Sequence, residues 1–303
     1  MAANDDTGGA SPEAGALDRL FALLQWCLPT RLLSRLLHSL AEARAPRFKN
    51  LLIRLFVRVY RVDLREAESA EPAAYPTFNA FFTRRLAADA RPLPVDPDAI
   101  ACPVDGRLGA FGAIERGRLF QVKGAAYDVT DLLGGREEWA AAFLAGRYAT
   151  LYLAPSDYHR VHMPVGGGLR DTLYVPGRLF GVNPASVRAI PRLFTRNERL
   201  VTLFDTACGP MAAVLVGAFG VGGIRTVWSG NVTPPHRRQP RHDSFAAGGE
   251  GVHLERGDEL GAFHFGSTVV LLFGPGAVAW DENLQAGMTL RMGCPLGRIA
   301  DGV

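Results

Sequence analysis

Residues 263–280 read FHFGSTVVLLFGPGAVAW, an apolar stretch whose few polar side chains lie near its start. The stretch is uncharged over nearly the length that a helix needs to cross a bilayer. However, the β-branched residues after Ser267 and the Gly-Pro-Gly sequence at 274–276 are more typical of a buried strand that ends in a turn. Residues 206–224 combine apolar residues and clustered glycines in the same way. We therefore interpret both stretches as core strands and not as membrane spans.

Short runs of this kind recur along most of the chain. Beyond about residue 98, β-rich runs such as 150–153, 211–216 and 268–273 alternate with turns that contain Gly and Pro. Residues 137–144 form the one helix-like insertion of note in the middle region. This alternation predicts a mainly antiparallel, β-rich domain over residues 65–303.

The front end of the chain has a helical pattern instead. Over residues 17–62, leucine recurs at helical spacing with arginine between the leucines, and Pro29 and Pro46 divide the segment into short helices. We thus predict an α+β chain, in which amphipathic helices within residues 16–64 precede the β-rich domain. Arginine beside an apolar face suits a helix that lies in a membrane interface. The alternative is an ordinary amphipathic segment that packs on the domain behind it.

Length and charge exclude several classes of protein. With 303 residues and 48% apolar content, the chain can bury a sizeable core. Its formal charge of +3 arises from 33 basic and 30 acidic residues, which is too balanced to indicate a nucleic-acid partner. Residues 1–15 are rich in Ala and Gly and lack the pattern of a secretory signal, so we expect them to be disordered.

Lysine and cysteine usage narrows the chemistry further. The only lysines are Lys49 and Lys123, which disfavours a pyridoxal-phosphate enzyme, because that cofactor needs a Schiff-base lysine. The four cysteines are widely scattered and form no C-x-x-C pair, so neither a zinc knuckle nor a dense disulfide framework is indicated. A reducing cytosol is the natural interpretation.

Three short strings contain candidate catalytic residues: CPVDGR at 102–107, DYHRVHMP at 157–164 and FGST at 265–268. Each is weak when taken alone. Asp105 precedes a glycine, which is a hairpin-turn pair, and its functional alternative is a carboxylate that orients a histidine. Ser267 opens an apolar strand, where a Gly-Ser-Thr turn is usually structural.

His159 and His162 offer a metal site or acid–base chemistry. Two histidines without a third ligand nearby are a weak metal signal, so we expect no metal. Residues three apart in a strand point to opposite faces, which indicates separate roles or a bend in the backbone. One histidine would serve as a general base and the other as a proton donor, and the sequence leaves open which is which.

Taken together, the three strings resemble the phosphatidylserine decarboxylases of the bacterial and mitochondrial type, in the same order and at comparable separations. The resemblance covers nearly the whole chain. Further strings that carry it are YPTFNAFF at 75–82, YVPG at 174–177, FTRNER at 194–199 and FDT at 204–206. One departure is Phe265, where the family commonly has leucine, and this apolar exchange leaves the chemistry intact.

The resemblance implies a proenzyme that cuts itself between Gly266 and Ser267, giving a β chain of residues 1–266 and an α chain of residues 267–303. Ser267 would become a covalent pyruvoyl cofactor, which forms a Schiff base with phosphatidylserine and yields phosphatidylethanolamine and carbon dioxide. For the self-cleavage, it implies Ser267 as nucleophile, His162 as base and Asp105 as the orienting carboxylate. We assign the proton donor of the decarboxylation to His159.

The resemblance also implies partners and a location. The substrate stays in a bilayer, so we expect a peripheral protein on the cytoplasmic side of the cell membrane, with the front helices on the membrane surface. A homodimer is implied as well. In the loop at 174–184, Arg178 and Asn183 are either phosphate contacts or solvated loop residues.

Two other functions stay open on the residues alone. A serine hydrolase could use the same three side chains on an external ester or amide, although the G-x-S-x-G elbow is missing. A β-rich lipid-binding module would contain Asp105, His159 and Ser267 as turn residues only. Self-cleavage at Ser267 distinguishes the decarboxylase from both.

Overall fold

The computed structural model describes residues 14–122, 125–220, 223–234, 236–245, 251–264 and 267–300. Residues 1–13 of the predicted disordered segment lie outside the described residues, as do Phe265 and Gly266 at the predicted cleavage site. The fold is α+β, as predicted: helices come first and antiparallel strands follow.

Three helices of 12 to 15 residues form the front end, α1 (Ala16–Cys27), α2 (Thr30–Ala41) and α3 (Pro46–Tyr60). They are divided where the prolines predict, since Pro29 is the N-cap of α2 and Pro46 opens α3. The remaining helices are short: α4 (Phe78–Phe82), α5 (Val129–Leu132), α6 (Glu137–Ala140), α7 (Pro184–Ala189) and α8 (Leu193–Arg196). Two 3₁₀ turns lie at Pro72–Ala74 and Ala141–Phe143.

Eighteen strands follow within the described residues. They are β1 (Ala99–Ala101), β2 (Gly106–Ala113), β3 (Arg118–Val122), β4 (Ala125–Asp128), β5 (Arg147–Leu153), β6 (Arg160–His162), β7 (Gly167–Val175), β8 (Arg199–Thr206), β9 (Gly209–Val216), β10 (Gly223–Thr226), β11 (Gly230–Thr233), β12 (Arg241–Ser244), β13 (His253–Leu254), β14 (Glu259–His264), β15 (Ser267–Phe273), β16 (Val278–Trp280), β17 (Thr289–Leu290) and β18 (Pro295–Ile299).

The strands form one large antiparallel sheet and three smaller ones. The large sheet has the order β12-β7-β8-β9-β15-β5-β2-β17, and β13 also pairs with β7. Beside it lie a four-stranded sheet, β11-β10-β14-β6, a three-stranded sheet, β1-β18-β16, and the hairpin β3-β4. Strand β14 therefore belongs to one sheet and the next strand, β15, to another, and the predicted cleavage site connects them.

Strand β15 is the centre of the large sheet. It pairs with β5 on one side, where Ser267 lies opposite Leu153, and with β9 on the other. Its residues alternate between two apolar cores, one of which contains Val269 and Leu271 and the other Val270. Burial on both faces explains why the sequence of this strand is continuously apolar.

The front helices have two apolar sides. One side packs as the alternative interpretation expects, because Ile53 and Phe56 of α3 join a buried cluster with three phenylalanines of α4, at positions 78, 81 and 82. The other side is exposed: of the 23 exposed large apolar residues in the described parts of the chain, 16 lie between Leu17 and Tyr60. No helix in the described residues is long and apolar enough to span a bilayer.

Candidate active site

Ser267 is the first residue of β15, and its side chain is fully buried. Its hydroxyl oxygen has no hydrogen-bond partner among the residues that the structure describes. Three further buried polar atoms also lack a hydrogen-bond partner within the described residues. They are Oγ1 of Thr268 and Nδ1 of His264, which are close to Ser267 in sequence, and Nε2 of His159, just before β6. Buried polar groups are nearly always paired, so a group of unpaired ones indicates a site that something else completes.

His159 lies beside strand β14. Its carbonyl oxygen accepts a 3.0 Å hydrogen bond from the Phe263 amide, and its ring packs against Phe82 with 4.1 Å between the ring centroids and the ring planes tilted by 46°. Ring atom Nδ1 is 2.9 Å from the Asp157 carbonyl oxygen. Because a carbonyl oxygen only accepts, Nδ1 carries the hydrogen, and a neutral ring then has a free lone pair on Nε2. Burial lowers the pKa of His159 to about 3, so the ring is neutral at pH 7.

His162 ends β6 and has different surroundings. Its Nδ1 donates to the Gly257 carbonyl oxygen at 2.8 Å, and its Nε2 is 2.9 Å from the Tyr158 hydroxyl. Burial raises the pKa of Tyr158 to about 12, so this hydroxyl keeps its proton and donates it to Nε2. Burial also lowers the pKa of His162, although the Glu259 and Asp105 charges oppose it. Both histidines thus carry hydrogen on Nδ1 and differ in whether Nε2 is occupied.

Asp105 is fixed by contacts that the sequence did not indicate. The Arg91 guanidinium donates a hydrogen bond to each carboxylate oxygen, with Nε 2.8 Å from Oδ1. The Met292 amide donates to Oδ1 at 2.8 Å. Arg91 in turn pairs with Glu66, and these carboxylates raise the pKa of the guanidinium.

The structure therefore brings two of the predicted relay residues near each other without joining them. His162 donates its amide to the Pro103 carbonyl oxygen at 2.9 Å, two residues before Asp105. Neither residue hydrogen-bonds to the other, and the Ser267 hydroxyl hydrogen-bonds to neither. His162 also lines an open cavity of about 430 Å³ together with Arg91 and Glu259, whereas Ser267 is enclosed. Within the described residues, no three His, Cys, Asp or Glu side chains are grouped as metal ligands.

A second, basic cavity of about 730 Å³ lies where α1 and α2 meet the loop after β7. It is lined by four arginines, at positions 35, 178, 196 and 238. Two of them lie over the Trp26 ring, each 5.6 Å from its centroid. None of the four forms an ion pair in the described part of the chain. Asn183 does not line this cavity. It is the N-cap of α7, and its side-chain oxygen accepts a hydrogen bond from the Ser186 amide at 2.9 Å.

Comparison with known sequences covers both parts of the chain. The family described as phosphatidylserine decarboxylase matches residues 78–298, and a second family, described as PSD, matches residues 20–61. The chain belongs to the phosphatidylserine decarboxylase family. The first match contains β1 to β17 with all four candidate catalytic residues, and the second contains most of α1 and all of α2 and α3.

Curated relatives carry the same family name. The phosphatidylserine decarboxylase proenzyme of Ectopseudomonas mendocina (strain ymp) is 54% identical over 281 residues, which are 92% of this chain and 98% of the relative. That of Nitrosococcus oceani is 49% identical over 286 residues, 94% of this chain and 93% of the relative. That of Pseudomonas aeruginosa (strain LESB58) is 52% identical over 276 residues, 91% and 96% respectively.

Sequence reasoning missed several residues of this decarboxylase-family site. Tyr158 stands inside the quoted 157–164 string, so its proximity to His162 could have been considered. Arg91 had no local signal, because it meets Asp105 across a loop. Cys102 and Cys294 also meet, since the Cys102 amide donates to the Cys294 carbonyl oxygen at 2.7 Å, and the nearby Cys102 side chain lowers the pKa of the Cys294 thiol. Both are free thiols.

Proposed function

We infer that this chain is the proenzyme of a phosphatidylserine decarboxylase, which converts phosphatidylserine to phosphatidylethanolamine and carbon dioxide in phospholipid synthesis. One observation carries the inference beyond family membership. Ser267 stands at the start of the central strand, and its buried hydroxyl has no hydrogen-bond partner among the described residues. Buried hydroxyls are usually paired, so this one is available for chemistry.

We propose that the chain cuts itself between Gly266 and Ser267 and that Ser267 becomes a covalent pyruvoyl group. The residues fit such a group, because the serine hydroxyl has no hydrogen bond to another described residue and the unpaired atoms of His159, His264 and Thr268 can hydrogen-bond to a substrate. The pyruvoyl group would supply a ketone that condenses with the substrate amine and accepts the electron pair left by carbon dioxide.

For the self-cleavage, we propose Ser267 as nucleophile, His162 as base and Asp105 as the supporting carboxylate. Ring atom Nε2 of His162 would exchange the Tyr158 hydroxyl for that of Ser267 and take its proton. Oγ then attacks the Gly266 carbonyl carbon, and the acyl group moves from nitrogen to oxygen. The Asp105 charge favours the protonated ring that results, since it acts on His162 in the direction that raises its pKa.

For the decarboxylation, we propose that His159 carries a proton in both directions. With hydrogen on Nδ1 and a free lone pair on Nε2, the neutral ring first accepts a proton, as the ammonium group of phosphatidylserine must lose one to react. Burial makes the charged ring unfavourable, so Nε2 is a weak acceptor that holds this proton only transiently and returns it to the carbon that has lost carbon dioxide. His159 is thus a base before it is the predicted proton donor.

We propose that the front helices hold the enzyme peripherally on the cytoplasmic side of the cell membrane. The exposed leucines of α1 and α2 provide an apolar surface, and the basic cavity beside them suits lipid phosphates. The family resemblance also implies a homodimer. The leucines can contact the membrane only if the subunit interface of that dimer lies elsewhere. In the alternative, the leucines form the subunit interface and are covered by the second copy.

Intact mass measurement under denaturing conditions, without amines that attack a pyruvoyl group, tests the proposed function. The wild-type chain should give a fragment of residues 267–303 whose first residue has lost mass, and it should release carbon dioxide from phosphatidylserine vesicles. Ser267→Ala should stay intact and inactive. Ser244→Ala, at an exposed serine, is the matched control and should behave as wild type.

An intact wild-type chain would contradict the proposal. Hydrolysis of lipid esters by that intact chain would favour the serine hydrolase, and lipid binding without conversion would favour the binding module.

A further inference from the structure

Arg84 is a buried cation with too few partners. It follows α4, and only 4% of the residue is exposed. Its Nη2 atom donates to the Ser156 carbonyl oxygen at 3.2 Å and lies 3.5 Å from that of Asp157. Within the described part of the chain, its Nε and Nη1 atoms have no hydrogen-bond partner. No carboxylate in the described residues lies within ion-pair distance of the guanidinium.

Two other arginines, the half-buried Arg91 and the buried Arg199, show how this chain normally satisfies such a group. Arg91 is held by Asp105 and Glu66. Arg199, which is 2% exposed, has no carboxylate but places all three nitrogens on backbone carbonyl oxygens. Arg84 has neither arrangement. Because a buried unpaired charge costs free energy, its free donors indicate an anion that binds from outside the chain.

The position of Arg84 points to the reacting centre. Its Nη2 atom and Nδ1 of His159 face the same carbonyl oxygen, that of Asp157. The two side chains are therefore neighbours, and the Arg84 charge lowers the pKa of His159. Adjacent residues of α4 contact both groups, because Phe81 lies under the guanidinium and Phe82 packs against the histidine ring.

We propose that Arg84 binds an oxyanion of the phosphatidylserine head group, with Nε and Nη1 as donors, and so places the substrate amine and α-carbon beside His159. The inference rests on the proposed function. The head group carries two anions, a carboxylate and a phosphodiester, and a guanidinium fits either with two parallel hydrogen bonds.

The test uses self-cleaved enzyme in which the pyruvoyl fragment has been confirmed by mass. Arg84→Ala should lower kcat/KM for phosphatidylserine about 10- to 100-fold, the range for a lost charge-assisted hydrogen bond. Added guanidinium at millimolar concentration should restore part of this activity, which a purely structural defect would not allow. Arg147→Ala is the matched control and should leave kcat/KM unchanged. Arg147 is exposed and begins β5, whereas the carbonyl groups that Arg84 contacts follow the end of that strand.

Two soluble head-group analogues separate the anions. Glycerophosphoserine has both the carboxylate and the phosphodiester, whereas glycerophosphoethanolamine has the phosphodiester only. If Arg84 binds the phosphodiester, Arg84→Ala should weaken inhibition by both analogues. If it binds the carboxylate, only inhibition by glycerophosphoserine should weaken.

Fully cleaved Arg84→Ala enzyme with wild-type kcat/KM and unchanged inhibition by both analogues would overturn the inference. If that variant fails to fold, Arg84→Lys keeps the buried charge but loses the paired donors, and the same comparison applies to it. A wild-type chain that forms no pyruvoyl group would instead contradict the proposed function, so the two failures are distinguishable.

Discussion

His159 couples the chemistry of the site to the stability of the fold. Its pKa is lowered by burial to about 3, against about 6.5 in an unfolded chain. Below pH 6.5 the unfolded chain therefore binds a proton that the folded chain does not, and stability falls as the pH falls towards 3. His159→Asn should therefore reduce the loss in the free energy of unfolding by about 1.4 kcal/mol per pH unit below pH 6.5.

Urea unfolding of Ser267→Ala, which stays a single chain, checks this prediction at pH 7 and pH 5. His159→Asn in that background should show a smaller loss between the two pH values. His253→Asn is the control, since the side chain of His253 is 60% exposed. An unchanged pH dependence in His159→Asn would mean that the folded protein already protonates this ring.

At the scale of elements, α2 should make contact with the bilayer through one row of leucines. Leu32, Leu36 and Leu40 lie four residues apart and are 56%, 55% and 52% exposed, so they form a stripe along one side of the helix. Replacing all three by Glu should weaken binding to anionic vesicles at least about tenfold, because each buried leucine contributes about 1.5–3 kcal/mol. Activity on substrate dissolved in detergent micelles should remain.

Vesicle sedimentation measures this binding, and Leu144→Glu provides the control, because Leu144 is similarly exposed but lies outside the front helices. Equal binding by the triple variant would contradict the membrane proposal. If the triple variant also changed from dimer to monomer in analytical ultracentrifugation while still binding vesicles, the leucines would form a subunit contact instead.

At the scale of the whole molecule, the two chains should stay together after self-cleavage. The α chain would contain β15, which is hydrogen-bonded on both sides and whose residues 269–273 are fully buried. Burial of these five side chains contributes on the order of 10 kcal/mol. Fragment 267–303 should therefore co-elute with fragment 1–266 in size-exclusion chromatography and separate only in denaturant.

Leu271→Ala should lower the stability of this assembly by about 2–5 kcal/mol, measured as the urea concentration at which the fragments separate. Val95→Ala is the control, as Val95 is 99% exposed. Elution of fragment 267–303 by itself in non-denaturing buffer would show that β15 is not the buried centre of the sheet in the cleaved protein.

Local sequence information predicts the α+β class, the division of the front helices and the central strand. These follow from local information: Pro29 and Pro46 restrict the backbone where they stand, and the apolar run after Ser267 fits a strand buried on both faces. The candidate residues Asp105, His159, His162 and Ser267 were also found this way, since each lies in a short string that a family resemblance can match.

The surroundings of those residues follow from the folded structure alone. Three features depend on loops brought together from distant parts of the chain. Arg91 binds Asp105, Nε2 is unpaired in His159 but hydrogen-bonded in His162, and Arg84 has no anionic partner among the described residues. The protonation of a histidine and the cost of an unpaired guanidinium are set by burial and nearby charges, and these exist only once the chain has folded.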